Sequence, residues 1–177
     1  MSDDSTGTAV QRQGLAPEPA SVGRLDELYR RHMPDAVRLA YLLTGNRHLA
    51  QDLAQDAFVK LGWRVLHLRR PDAFGPYLRK TVVNLARMAI RRERIGRAAV
   101  ARGRATPTPT DPDLADREAV RRALGTLPER QRIAVVLRFY EDLSYEQIAE
   151  HLRCRPGTVG SLLYRAMQTL REEMEGH

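Results

Sequence analysis

Apolar side chains in this sequence recur three and four residues apart, and no window shows sustained alternation or a β-branched run. That pattern restricts the chain to helices. In "YLRKTVVNLARMAIRRER", residues 77–94, a winding of about 100° per residue gathers Leu78, Val82, Leu85 and Ala89 into one narrow stripe. "RHLAQDLAQDAFVKLGW" places Leu49, Leu53, Ala57 and Leu61 on one face, with Ala50, Ala54 and Phe58 beside it. Residues 24–43 read as an amphipathic segment interrupted near Pro34, because proline removes an amide donor and crowds the preceding turn. Two stretches lack periodicity. Residues 1–23 are polar and dotted with Pro and Gly, so a disordered tail is expected. "AAVARGRATPTPTDPD", residues 98–113, is a Pro/Thr-rich linker expected to be extended and mobile. The fold class expected is all-α, with helical domains at 24–97 and 114–177 joined by that linker.

The polar side of 77–94 is unusual. Lys80, Asn84, Arg87, Arg91 and Arg94 lie opposite the apolar stripe, and the only acid in the stretch, Glu93, is off that face. Solvated helix faces normally mix signs to gain pairs four residues apart. The charge of the chain is distributed the same way. Its formal net charge is +7, but residues 24–97 carry 16 basic against 7 acidic side chains, whereas 114–177 balance at 10 and 10. A domain this basic expects a polyanion. A membrane surface suits it less well, because lipid-binding helices expose bulky apolar groups beside the charge and this stripe is narrow.

Other classes are poorly served. One cysteine, Cys154, rules out an internal disulfide and a multi-cysteine zinc site, and it suits a reducing cytoplasm. The N-terminus lacks the apolar core of a signal peptide, no run is long enough to span a bilayer, and membrane insertion is not expected. His151 and Cys154 are three apart, yet no acid or oxyanion loop accompanies them, so neither an enzyme nor a cofactor or metal site is expected. Trp63 reads as a core or domain-edge aromatic.

The C-terminal domain carries the most specific local pattern, "LSYEQIAEHLRCRPGTVGSLLYRAMQTL". Ser144 followed three residues later by Gln147 is a capping box, and Ile148, Ala149 and Leu152 share the next helical face. After "RCR", Pro156 suits a first helical position, and Val159, Leu163, Ala166 and Leu170 form a second stripe. Two helices around so short a turn describe a helix-turn-helix. Its second helix would present Arg155, Thr158, Ser161, Tyr164 and Arg165 outward, side chains suited to phosphates and base edges. A plain helical hairpin is the competing reading.

Taken together and in order, "AQDLAQDAFVKL", "YLRKTVVNLARMAIRRER" and "LGTLPERQRIAVVLRFYEDLSYEQIAEHLRCRPGTVGSLLYRAMQTLRE" resemble a bacterial RNA polymerase sigma factor of the compact extracytoplasmic-function group. The resemblance runs over about residues 24–174 and implies the second and fourth sigma domains without the third. It implies that Asp52, Gln55, Asp56 and Phe58 dock on the clamp helices of the polymerase β′ subunit, with the β flap as a second contact on core polymerase. It implies that Tyr77, Lys80, Asn84, Arg87, Arg91 and Arg94 meet the −10 element of promoter DNA during strand opening, with Tyr77 and Asn84 available to unstacked bases. It assigns the −35 element to the helix carrying Arg155, Thr158, Ser161, Tyr164 and Arg165, and the polymerase's RNA exit route to the linker. Control by an anti-sigma factor, and work in the cytoplasm, are the further implications.

The sequence departs from the family pattern at three places of the helix-turn-helix. Arg153 stands where the turn commonly has a small residue or Gly, Arg155 where the N-cap is commonly Ser, and Gly160 where Lys commonly follows "TV". An Arg N-cap forgoes a side-chain acceptor worth about 0.5–2 kcal/mol, and an interior Gly costs about 1 kcal/mol. Tyr77-Leu78, preceded by Pro76, replaces the usual Trp-Leu pair. The rival function is a freestanding helix-turn-helix regulator that binds an operator as a dimer. Such a protein has no need of the "AQDLAQDAF" helix or the basic helix.

Overall fold

A computed structural model of the chain describes residues 19–65, 73–99 and 112–175. Most of the expected tail and linker, and the side chains of Trp63 and Arg94, lie outside the described residues. Every regular element among the described residues is helical: α1 (Pro19–Thr44), α2 (Arg47–Val65), α3 (Phe74–Ala99), α4 (Pro112–Thr126), α5 (Glu129–Val135), α6 (Tyr145–Leu152) and α7 (Pro156–Glu175).

The first lobe is a bundle in which α1, α2 and α3 each pack on the other two. Its core follows the apolar stripes. Leu39, Ala40 and Leu43 of α1 meet Ala50, Ala54 and Ala57 of α2 and Leu78, Val82, Val83 and Ala86 of α3, all buried. The alanines on α2 let the helices approach closely, and each buried Leu contributes about 1.5–3 kcal/mol of transfer free energy. On α3 the buried stripe runs through Leu78, Val82 and Ala86, so Leu85 and Ala89 flank it rather than continue it. Phe74, fully buried at the start of α3, closes one end of the core against Phe58 and His32, at ring separations of 5.4 and 5.3 Å.

The expected interruption at Pro34 does not occur, since α1 is continuous through it. A proline inside a helix costs about 3 kcal/mol or more by removing a hydrogen bond and crowding the previous turn. Here Pro34 is exposed, while Leu28 and Met33 before it and Ala36 and Leu39 after it are buried in one core. Burial on both sides holds the two halves in one continuous helix. The α1–α2 corner is tight: Gly45 adopts φ +68° and donates its N–H to the Tyr41 carbonyl at 2.7 Å, and the Asn46 side chain then caps α2 by accepting from Leu49 N–H at 3.1 Å.

The second lobe packs α5 and α6 against α7, with α4 alongside α7. Ile133, Leu137, Ile148, Leu152 and Val159 are among its fully or nearly fully buried side chains. The chain leaves α5 through a π turn, Val136–Tyr140, that periodicity did not indicate. There Glu141 N–H reaches the Val136 carbonyl, five residues back, at 3.2 Å. Asp142 follows at φ 48°, a left-handed position that Asp tolerates better than most residues. The extra residue turns Phe139 out to solvent and Tyr140 toward α1.

Candidate nucleic-acid interface

The helix-turn-helix forms by the expected means. Ser144 Oγ accepts from Gln147 N–H at 3.3 Å, and Gln147 Oε1 accepts from Ser144 N–H at 2.8 Å, so α6 starts at Tyr145. It ends at Arg153, which adopts φ 50° and ψ 56°. The left-handed conformation costs an L-residue about 1–2 kcal/mol, and glycine far less. After it, Pro156 opens α7 and the Arg155 carbonyl accepts from Thr158 N–H at 2.9 Å. Val159, Leu163 and Ala166 lock α7 onto the lobe with 5% exposure or less. Arg155, Thr158, Ser161, Tyr164 and Arg165 are all exposed on the outer side. Gly160 packs against the ring of Tyr145, where an added Cβ would stand 3.6 Å from Cε2. That ring in turn lies 5.9 Å beneath the guanidinium of Arg138. Tyr145 and Arg138 thus adjoin the recognition helix, and sequence reasoning passed over both.

Helix α3 presents a second polar face. Tyr77, Lys80, Asn84 and Arg91 are exposed. Arg87 is different: it is partly covered, donates from Nη1 to the His151 carbonyl at 3.2 Å, and lies 3.6 Å from the Glu129 carboxylate. Arg79, outside the expected set, pairs with Glu141 of the second lobe. Its residue type was visible in the sequence, but the acid that meets it is 62 residues away.

On α2 the outward face carries Asp52, Gln55 and Asp56, all exposed. Phe58 does not belong to it, and the expectation that it does is corrected here. It is 6% exposed, edge-on to Tyr29 at 5.1 Å and to Phe74 at 5.4 Å, because its position shares the face of Ala54 and Leu61. The apolar group that does stand among the acids is Val59, 55% exposed. It lies three residues after Asp56 and seven after Asp52, a helical spacing that would have identified it.

The two lobes touch through polar contacts. Arg132 Nη1 donates to the Leu43 carbonyl at the C-terminal end of α1 at 2.9 Å, and Nη2 to Gly125 and Leu127 carbonyls, both at 3.2 Å. Arg87 does the reciprocal thing at the end of α6, where Arg130 also donates to the Leu152 carbonyl at 3.3 Å. Guanidinium groups suit helix C-termini, which carry free carbonyls and the negative end of the dipole. Arg38 of α1 adds a hydrogen bond to Tyr140, whose hydroxyl burial pushes above its usual range. His151 sits in this interface with Nδ1 buried and unpartnered among the described residues, and burial, followed by Arg79 and Lys80, holds its pKa below the ordinary 6.5. Among the described residues no three His, Cys, Asp or Glu side chains come together as a metal site would require, and no helix is long and apolar enough to cross a membrane.

Comparison with known proteins matches these two lobes separately. The family model for sigma-70 region 2 matches residues 28–95, and that for sigma-70 region 4 matches 117–170. The ECF RNA polymerase sigma factor SigE of Mycolicibacterium smegmatis is 36% identical, over 99% of this chain and 70% of that protein. The RNA polymerase sigma-E factor of Streptomyces avermitilis is 35% identical over 84% of each. In fold, the chain is similar to the sigma factor RpoE of Bartonella quintana, solved in complex with the anti-sigma factor NepR. The TM-score is 0.68 at 24% identity, covering 85% of this chain and 96% of that one.

Proposed function

We propose a division of labour between the two lobes of this chain, which belongs to the extracytoplasmic-function group of the sigma-70 family of RNA polymerase sigma factors. It is a promoter-recognising sigma factor. Residues 24–97 take the −10 element and the polymerase β′ clamp helices, residues 114–177 take the −35 element and the β flap, and 98–113 link them. In this reading Lys80, Arg87, Arg91 and Arg94 of α3 hold backbone phosphates as the duplex opens, while Tyr77 offers a stacking surface and Asn84 a base-edge contact. On α7, Arg155 and Thr158 read base edges in the major groove, and Ser161, Tyr164 and Arg165 position the helix on the backbone.

The observation that carries the reading is the pair of polar helix faces, one on each lobe, each backed by an apolar stripe buried in its own core. A freestanding regulator needs only the second. On α2, Asp52, Gln55, Asp56 and Val59 give polymerase a charge-steered surface with one apolar contact at its centre. Phe139, 66% exposed on the π turn, is the apolar anchor we assign to the β flap. The partner class implied by the family, an anti-sigma factor, is extended to this chain, as is work in the cytoplasm, where promoter DNA lies. The chain contributes binding energy and no bond-making chemistry of its own.

Run-off transcription with purified core polymerase on a library of genomic fragments tests the function. Specific transcripts should appear only when the chain is added, and reversal of Asp52 and Asp56 to Lys should abolish them together with core binding. Specific DNA binding by the chain alone, with no effect on core polymerase, would favour the regulator instead.

A further inference from the structure

The exposed side chains of α3 are not all of one kind. Tyr77, Lys80, Asn84 and Arg91 are charged or can hydrogen-bond, but Met88 stands among them at 52% exposure. At about 100° per residue it lies roughly 120–160° round the helix from the buried Val82 and Ala86, and within about 60° of Tyr77, Asn84 and Arg91. It takes no part in the core. Helix propensity does not call for it either, since Gln, Lys, Arg and Glu serve an exposed position about as well. What methionine supplies is a flexible, polarisable, apolar tip with almost no hydrogen-bonding capacity. We propose that Met88 reads a thymine of the opened −10 strand through the 5-methyl group of the base. The proposal rests on the assignment of α3 to that strand, and adds to it the residue that selects a base by apolar contact.

The spacing suits a strand whose bases have come apart. Asn84 precedes Met88 by four residues, about 6 Å along the helix axis, and Tyr77 precedes it by eleven, about 16 Å. A stacked strand advances about 3.4 Å per nucleotide and an unstacked one further, so Asn84 and Met88 can meet neighbouring bases while Tyr77 meets another. Chemistry divides the three. The Asn84 amide can hydrogen-bond a base edge, and the Tyr77 ring can stack on a base of any identity, so neither selects for a methyl group. Thymine carries that methyl and the other three bases do not, and apolar contact with it discriminates. Met88 is the large aliphatic side chain left exposed on α3 among the described residues. Arg91, exposed three residues on, can hold the adjacent phosphate and keep the strand in register.

The test is transcription by the full chain with core polymerase on a promoter library randomised across −10, with the −35 element fixed. The chain should favour T at one position, Met88→Gln should lose that preference, and Met88→Leu, which stays apolar, should keep most of it. Glutamine preserves length and helix propensity, so output on the other sequences should hold. Deoxyuridine in place of that T removes only the methyl. It should lower output about fourfold with the unaltered chain, the worth of one buried methyl group, and less than about 1.5-fold with Met88→Gln. No preference for T, an unchanged preference in Met88→Gln, a uniform loss of output, or an equal deoxyuridine penalty in both chains would overturn the proposal. Lys80→Ala with Arg91→Ala on the same library separates this failure from that of its premise. If the pair lowers output on all sequences, a negative result for Met88 falls on Met88 alone; if it changes nothing, α3 does not meet the strand and the proposal fails with its premise.

Discussion

Helices α3 and α7 both present polar faces over buried apolar stripes, but they are not equally available. Every expected −35 residue on α7 is exposed, whereas α3 commits Arg79 and Arg87 to the second lobe and leaves Tyr77, Lys80, Asn84 and Arg91 open. Electrostatics accounts for the difference. The first lobe carries the whole excess of positive charge, so any acid or carbonyl brought near α3 is attracted to it, while the second lobe is balanced and its recognition helix draws nothing.

The sharpest way to break this contrast lies on α7. Ala at Arg155 or Thr158 should change which −35 sequences are used, by about 1–3 kcal/mol of discrimination at the position each reads. Ala at Arg165 should lower output on all sequences alike, as loss of a phosphate contact does. Transcription from a randomised −35 library with a fixed −10 element separates the two. Unchanged preference in the Arg155 and Thr158 variants would move the reading residues along the helix, toward the Tyr145 ring that occupies the side of Gly160.

A smaller effect concerns how firmly α7 is set. Arg153→Gly should raise the stability of the second lobe by about 1 kcal/mol, by relieving a left-handed arginine at φ 50°. The denaturant midpoint should rise at constant slope. A fall would mean that the Arg153 side chain makes a compensating contact in solution.

The smallest effect is on the covered face. His151 is surrounded by Arg79 and Lys80 from α3 and Glu150 on its own helix, while Arg87, itself facing Glu129 of α5, holds its carbonyl. Its pKa is lowered by burial and then by Arg79 and Lys80, so losing the contact with α3 should let it bind a proton more readily. The contact between the lobes should then be unaffected at pH above about 7 and weaken as pH falls below the ordinary 6.5 toward the lowered value. Scattering should show a larger radius of gyration at pH 5.5 than at 7.5, and His151→Gln should flatten the change. His32, also lowered by burial and then Arg31, titrates in the same direction but lies in the first lobe against Phe74, so it bears on folding rather than on the contact between the lobes.

Much of the architecture was legible because it rests on local rules. The Ser144–Gln147 box, Pro156 at a helix start, and the stripes of α2, α3 and α7 each follow from neighbours within a few residues. What was not legible depends on distant partners. Pro34 stays helical because buried residues on both sides hold it. The contact between lobes is less visible still, since Arg87 and Arg132 end on backbone carbonyls, which every residue possesses. A basic helix in sequence gives no sign that part of it is already occupied.

The measurement that bears most directly on the division between lobes is a permanganate footprint, beside a protection footprint, on one promoter with core polymerase. The variant is Lys80→Ala, Arg87→Ala and Arg91→Ala together. Three lost single-strand phosphate contacts should make the salt slope of open-complex formation shallower by about 2. The bubble around −10 should shrink or vanish while protection at −35 persists. An unchanged bubble, or loss of both footprints in parallel, would contradict the assignment of strand opening to α3.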